Sequence, residues 1–303
     1  MILSNFEYIC LLFYAILRKE IIYRNPYLSK GEQCKLQSHY EVIMNPKRYP
    51  PGLAATIYCN RRAPAVRAII EHQAPLVFDV GCGYGTESFL FAALGAKVLA
   101  VDISPEQISI AQKRKLYFEH EIFHKKLDID FEVSDLNWYI PREQNITLTW
   151  IASVLAALPD QDNFLRRVYT ATRPGGCIMV TDMNLLNPLF LFKEWRRRQR
   201  AKLTSPEFCR QANFWAMLKR KGRSGARFFP ANDHDLFDDV QFFTSRTLEH
   251  LLCQVGFRPA ETFFSGFLPP WFWKIVPLSI ENYLAKLLFL NNFGYFYLVT
   301  SLK

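Results

Sequence analysis

The chain is poor in the residues that mark fibrous, repetitive or unfolded proteins. Of its 303 residues only 13 are glycine and 17 proline, while half are hydrophobic. That composition excludes collagen-like, low-complexity and disordered chains. Any Cys-x-x-Cys pair is also missing. The seven cysteines, Cys10, Cys34, Cys59, Cys82, Cys177, Cys209 and Cys253, stand singly, which argues against cysteine-bound zinc or a dithiol couple and reads as a reduced, cytoplasmic protein. No apolar run reaches the ~20 residues that cross a bilayer. The stretch Tyr8 to Leu17 is too short, and it has neither a basic region before it nor a small-residue cleavage site after it, so no secretory signal is expected. It reads as a helix packed on the core or one lying on a membrane surface. Acidic residues are in deficit, 28 against 37 Lys plus Arg, for a formal net charge of +9. The excess favours an anionic partner, with nucleic acid, an acidic lipid surface and an anionic metabolite all open.

The length allows one large domain with insertions or two ordinary ones. Residues 1–74 are helical in texture, interrupted by Pro26, Pro46, Pro50, Pro51 and Pro64, and read as an N-terminal helical cap. From residue 75 the pattern changes. Leu76 to Val80, Lys97 to Val101, Asp130 to Val133, Ile146 to Ile151 and Cys177 to Thr181 are short apolar, β-branched runs, separated by helix-length segments such as Glu87 to Leu94 and Pro105 to Phe118. Strands apolar on both faces alternating with helices predict a parallel sheet covered on both sides. Arg173-Pro174-Gly175-Gly176 predicts a tight turn. Residues 184–243 form a basic, aromatic, helical insertion and 268–290 a second one. Between them lie a helix over Thr244 to Val255 and a strand near Phe257 to Phe264, and a last strand spans Tyr295 to Leu302.

The informative stretch is Val77-Phe78-Asp79-Val80-Gly81-Cys82-Gly83-Tyr84-Gly85-Thr86-Glu87, a strand entering a glycine loop that opens a helix. Glycines at 81, 83 and 85 let the backbone turn sharply and approach a ligand without a Cβ clash. A dinucleotide loop would require Gly-x-Gly-x-x-Gly, and Thr86 stands where its third glycine would be. Asp79 also opposes a pyrophosphate and would attract an ammonium group. A second apolar strand ends in Asp102, placed to accept hydrogen bonds from a ribose diol, and Ser104-Pro105-Glu106 then starts a helix. A third strand leads to Asp135, which reads either as an acceptor for an exocyclic amine or as a loop or capping acid.

Jointly, in this order and spacing, these motifs resemble the class I S-adenosylmethionine-dependent methyltransferases of small-molecule type. The likeness covers about residues 70–183 and resumes at Phe243 to Phe257. It implies a Rossmann-like, mostly parallel seven-stranded sheet of order 3-2-1-4-5-7-6, last strand antiparallel, with helical cap insertions. It also implies S-adenosyl-L-methionine as cofactor, with Gly81, Cys82, Gly83 and Gly85 under its methionine part and Asp79 supporting the loop and the ammonium group. Asp102 with Ile103 would lie at the ribose, Asp135 with Leu136 at the adenine, and Trp150 and Ile151 beside the methionine. Two departures stand out: the fourth strand starts Asn145-Ile146-Thr147 without an acid, and Ala156-Ala157 replace the Glu-His pair common after it.

The first insertion joins Leu189 to Trp195, apolar and aromatic, to Arg196-Arg197-Arg198-Gln199-Arg200, and Trp271-Phe272-Trp273-Lys274 lies in the second. These read as a solvated face, an anionic-substrate arm or an anionic membrane surface. Nucleic acid ranks lower, because neither an Asn-Pro-Pro-Tyr-type loop nor a Pro-Cys pair is present and no RNA-binding module accompanies the core. His234 in Asn232 to Asp239 is a candidate general base or part of a divalent-metal site, but a solvated acidic loop that neutralises nearby arginines is the favoured reading, and no metal is expected. The expected activity is O-methylation of a small or lipid-linked acceptor by a cytoplasmic enzyme, peripheral at the membrane if the basic face binds lipid. The alternatives are a non-catalytic binding module of the same fold or an RNA or protein methyltransferase.

Overall fold

The computed structural model describes residues 5–44, 51–184, 186–187, 192, 226–228, 240–265 and 296–303. Three helices lead: α1 (Asn5–Tyr23), α2 (Lys30–Met44) and α3 (Pro51–Ile70). Cys10, Phe13, Tyr14 and Leu17 recur at helical spacing in α1 and pack with Tyr58, Ala65, Val66 and Ile69 of α3. Both helices share one hydrophobic cluster with Val77, Val98, Leu148, Trp150 and Met179 of the sheet, so they form a layer on it and have no separate core. Pro64 does not interrupt its helix as the sequence predicts. It lies within α3. A proline there gives up one helical hydrogen bond, and the buried Ala65, Val66 and Ile69 hold the helix against that loss.

β1 (Leu76–Val80), α4 (Thr86–Ala93), β2 (Lys97–Asp102), α5 (Pro105–Tyr117), β3 (Ile129–Val133), β4 (Ile146–Ala152), α6 (Gln161–Ala171) and β5 (Thr172–Met183) follow. After the small antiparallel pair β6 (Ala226–Phe228) and β7 (Val240–Phe242) come α7 (Ser245–Val255), β8 (Arg258–Ser265) and β9 (Phe296–Leu302). The sheet runs β3-β2-β1-β4-β5-β9-β8. β1 to β5 are parallel, and β9 is antiparallel to both its neighbours. With β6 and β7 set apart, this is the expected order 3-2-1-4-5-7-6. Side chains alternate between two covered faces: Val77 and Val98 face α1 and α3, whereas Phe78, Val80, Leu99 and Ile151 pack with Phe164, Leu165 and Val168 of α6 and Leu248 and Leu252 of α7.

Two further expectations are corrected. Arg173 to Gly176 is no free turn, because β5 begins at Thr172 and absorbs it as a bulge: Ile146 pairs with Thr172 and Leu148 with Cys177. Gly175 takes φ +74, and a Cβ on Gly176 would lie 2.8 Å from the Ile146 carbonyl oxygen, so the bulge needs both glycines. Within the first insertion, β6 and β7 pair where the texture suggested helix. The remainder of that insertion and residues 268–290 lie outside the described residues. Among those described, no helix is long and apolar enough to cross a membrane.

Candidate cofactor site

At the carboxyl end of β1 the chain turns through Gly81, Gly83 and Gly85, with φ of +64, +54 and +77, a region open to glycine at little cost. The amides of Gly81 and Cys82 both donate to the Val101 carbonyl, at 2.8 and 3.0 Å, and the Gly85 amide donates to the Cys82 carbonyl at 2.8 Å. These bonds tie the loop to the end of β2. The three glycines serve different ends. A Cβ on Gly81 would collide with Val154 at 2.2 Å and one on Gly85 with Phe131 at 2.8 Å, so these two permit packing. Gly83 meets only Gln107 Oε1, at 3.0 Å. That neighbour is the far end of a flexible side chain and not backbone, so among the three glycines Gly83 is the one whose backbone a ligand can approach once Gln107 gives way, and the loop fits the cofactor implied by the sequence.

Asp102 closes this arrangement. Its Oδ2 accepts from the Gly83 amide and its Oδ1 from the Ser104 amide, each at 2.9 Å. Both bonds come from the chain itself and leave lone pairs for a diol at the strand's end. Ser104 caps α5, accepting from the Gln107 amide, with Pro105 as the first helical residue. Asp79 is 2% exposed, and its Oδ2 accepts from Ser88 Oγ at 2.5 Å. Burial, with the Glu87 carboxylate nearby, pushes its pKa up to about 8. Glu87 behaves oppositely: burial would raise it, but the Arg62 guanidinium, bonded to its Oε1 through Nε at 2.9 Å and through Nη2, holds it below the ordinary carboxylate range. Buried Cys82 has its thiol pushed well up by burial, then by Asp79 and Asp102, which makes it a packing group and not a nucleophile.

The other sequence-predicted residues separate. Ile103 and Val133, each 48% exposed, flank the ends of β2 and β3. Asp135 lies two residues beyond β3, its Oδ1 accepting from the Asn137 amide at 2.9 Å and side-chain Nδ2 at 2.8 Å. Leu136 turns its side chain into the core beside Phe78 and Tyr139. Trp150 and Ile151 point to opposite faces of the sheet, Trp150 against Phe91 in the cluster that also holds Cys82 of the loop, and Ile151 into the α6 side. After β4, Val154 lies against Gly81 of the loop, and Ser153 takes φ +58 with its amide on the Thr181 carbonyl of β5. Sequence reasoning missed both, and it missed Ser88 and Gln107. It also missed Arg61 of α3, whose Nε donates to Thr181 Oγ1 at 3.0 Å and brings a cation to the carboxyl edge of β5. Beside it Asp182 is buried, which pushes its pKa up to about 6, and its Oδ1 accepts from the Met183 amide at 2.7 Å. His234, the arginines at 196–200 and Trp271 to Lys274 lie outside the described residues, and among those described no cluster could hold a metal.

A glycine loop between a buried acid and a strand-end acid, on a seven-stranded sheet with one antiparallel strand next to its edge, defines the fold of the S-adenosylmethionine-dependent methyltransferases. A family described as "Methyltransferase domain" matches residues 72–230, just over half of the chain, and the protein belongs to it. S-adenosyl-L-methionine is the donor that this family and fold imply. The ubiquinone biosynthesis O-methyltransferase of Xanthomonas axonopodis pv. citri is 27% identical over 124 residues, 41% of this chain and 49% of that protein. Its counterpart in Rhodopseudomonas palustris is 32% identical over 108 residues, 36% and 39%. The match thus spans about half the length of these relatives or less. Among solved structures, a methyltransferase of Methanosarcina mazei has a TM-score of 0.51 at 15% identity, covering 79% of this chain and 97% of its own. One from Listeria monocytogenes has 0.52 at 13%, covering 80% and 98%. Both show the fold.

Proposed function

We propose that the protein transfers the methyl group of S-adenosylmethionine to an oxygen of a small or lipid-linked acceptor. The observation that carries the reading is the pairing of Asp102 with the Gly83 amide at 2.9 Å, which presents side by side an acid and a glycine backbone crowded only by the Gln107 side chain. In this reading the backbone of Gly81, Cys82, Gly83 and Gly85 underlies the methionine part and Asp102 accepts from the ribose hydroxyls. Exposed Ile103 flanks the adenine with Val133, and Asp135 and the Leu136 backbone border its far edge. Ile151 contributes its main chain at the end of β4. Asp79, once ionised, faces the ammonium group.

The bound donor supplies an electrophilic methyl on a sulfonium. The protein holds donor and acceptor in line and keeps water out, an orientation effect worth ~7–11 kcal/mol in favourable cases. Oxygen as the methylated atom is supported by the names of the relatives. Calorimetric titration with S-adenosylmethionine, followed by detection of S-adenosylhomocysteine with a panel of phenolic acceptors, tests both parts. No heat of binding removes the enzyme reading and leaves a binding module that keeps only the fold. Turnover with nucleic acid or protein and none with phenols replaces the acceptor.

The net charge of +9 and the arginines at 196, 197, 198 and 200 beside an aromatic run support an acceptor presented at an anionic lipid surface. Each basic residue then contributes ~1 kcal/mol, and binding weakens with salt. Flotation with anionic vesicles at low salt, lost when the four arginines become Gln, is the expected result. Its absence assigns a water-soluble acceptor.

A further inference from the structure

Arg114 of α5 and Glu20 of α1 are both fully buried and form a two-pronged pair, Nε to Oε1 at 2.8 Å and Nη2 to Oε2 at 2.7 Å. The remaining nitrogen does something else. Arg114 Nη1 donates to the Tyr84 carbonyl at 2.6 Å and to Thr86 Oγ1 at 3.1 Å, gripping the glycine loop on both sides of Gly85. Thr86 Oγ1 is also bonded to the Tyr40 hydroxyl of α2, and the Tyr84 ring lies edge-on to His39 at 5.0 Å. Glu20 is itself held, accepting from Asn25 Nδ2 at 2.9 Å, while the Asn25 amide donates to Gln33 Oε1 at 3.1 Å. One continuous network therefore runs from the end of α1 through α5 to the loop.

A buried ion pair is weak evidence for stability, because desolvating two charges offsets their attraction and apolar side chains of similar volume often serve as well. Where the fork points is more informative. Inside the loop itself, the turn at residues 82–85 is closed by the Gly85 amide on the Cys82 carbonyl, and the Tyr84–Gly85 peptide takes its orientation from Arg114. We propose that Arg114, anchored by Glu20, is a positioning residue for donor binding: it sets the peptide planes of residues 83–86 before the ligand arrives, so that the ordering cost of the loop is met in the free protein. By linkage, donor binding tightens the docking of α1 and α2 by the same factor. The proposal rests on the reading of the glycine loop as the donor site.

The experiment compares Arg114→Lys with Leu17→Ala, which loosens α1 at a fully buried apolar position without touching the network. Lys keeps a charge for Glu20 but has no fork for the loop. Below the melting temperature of both variants, Arg114→Lys should raise the donor KM about tenfold with kcat nearly unchanged, whereas Leu17→Ala leaves KM within about twofold. A readout independent of the donor is hydrogen exchange at the amides of residues 83–86, which should quicken in Arg114→Lys and not in Leu17→Ala. Glu20→Gln should move both readouts in the same direction and serves if Arg114→Lys does not fold. Equal KM and equal exchange in the Arg114 and Leu17 variants would overturn the proposal. Lack of donor binding by the unaltered protein, with exchange still responding to Arg114→Lys, would instead overturn the reading of the site.

Discussion

The carboxyl edge of the sheet has two halves built by different means. Over β1 and β2, contacts are made by backbone amides and strand-end acids: Gly81 and Cys82 on the Val101 carbonyl, Gly83 and Ser104 on Asp102. Over β4 and β5, they are made by side chains brought from elsewhere, such as Arg61 of α3 on Thr181, and by the exposed, left-handed Ser153. A backbone cradle suits a ligand that is always the same, because its geometry does not depend on which side chains surround it. A side-chain edge suits a partner that varies, since one substitution changes it. Under the proposed function, the first half would hold the donor and the second would select the acceptor.

Substitutions can break or sharpen that contrast, and the largest effect is expected at Gly83. Gly83→Val places a β-branched residue at φ +54 in the loop, against a side-chain neighbour, Gln107, that can move aside, and calorimetry should find no donor binding in a protein that still folds. Normal affinity in a folded variant would take the loop out of the site. Next, Asp102→Ala removes a charged acceptor worth ~1.5–3 kcal/mol, so donor affinity should fall roughly ten- to a hundredfold. Equal affinity would sink the ribose assignment.

Asp79→Asn should act in two directions. With the folded pKa raised to about 8 from an ordinary value near 4, the wild-type carboxyl costs stability progressively as pH rises between those values. The variant should therefore melt higher than wild type at pH 8, with little difference at pH 4, yet bind the donor more weakly, because the ammonium loses its carboxylate. Weaker melting at pH 8 would contradict the buried-acid account. The smallest effect belongs to the other half of the edge. Asp182→Asn keeps an oxygen for the Met183 amide, and its gain in melting temperature should grow from pH 4 to about 6, where the wild-type group ionises, then level off. Donor affinity should stay unchanged. A large drop would join the two halves into one site.

The β1 and β2 half was legible because its determinants are local. The glycines at 81, 83 and 85 and the acids at 79 and 102 lie at strand ends whose apolar, β-branched runs mark them, and each local choice agrees with the sheet order found. Side-chain direction was harder to read. Trp150, Ile151 and Leu136 are singled out by their place in the sequence pattern, which carries no side-chain direction: the two-residue period and the turn after β3 send these side chains into the cores. Pro64 and the Arg173 to Gly176 segment carry breaker residues that the surrounding packing and pairing overrode. The pairing of Glu20 with Arg114, 94 residues apart, left no mark at all, since tertiary packing alone decides which helices meet.

The place of β9 bears on how the molecule is made. It is the last of the described strands to be synthesised, yet it lies between β5 and β8 in the sheet and pairs with both. While the chain leaves the ribosome, β1 to β5 can assemble in order as each strand appears. β5 then keeps an open edge, and β8 has no neighbour, until residues 296–302 emerge. Over that interval the nascent chain presents two unpaired strand edges, the kind of surface that chaperones cover and that aggregates when left bare. A message truncated before Phe296 would leave those edges open permanently. Quality control would meet a protein with an intact glycine loop and an unfinished sheet.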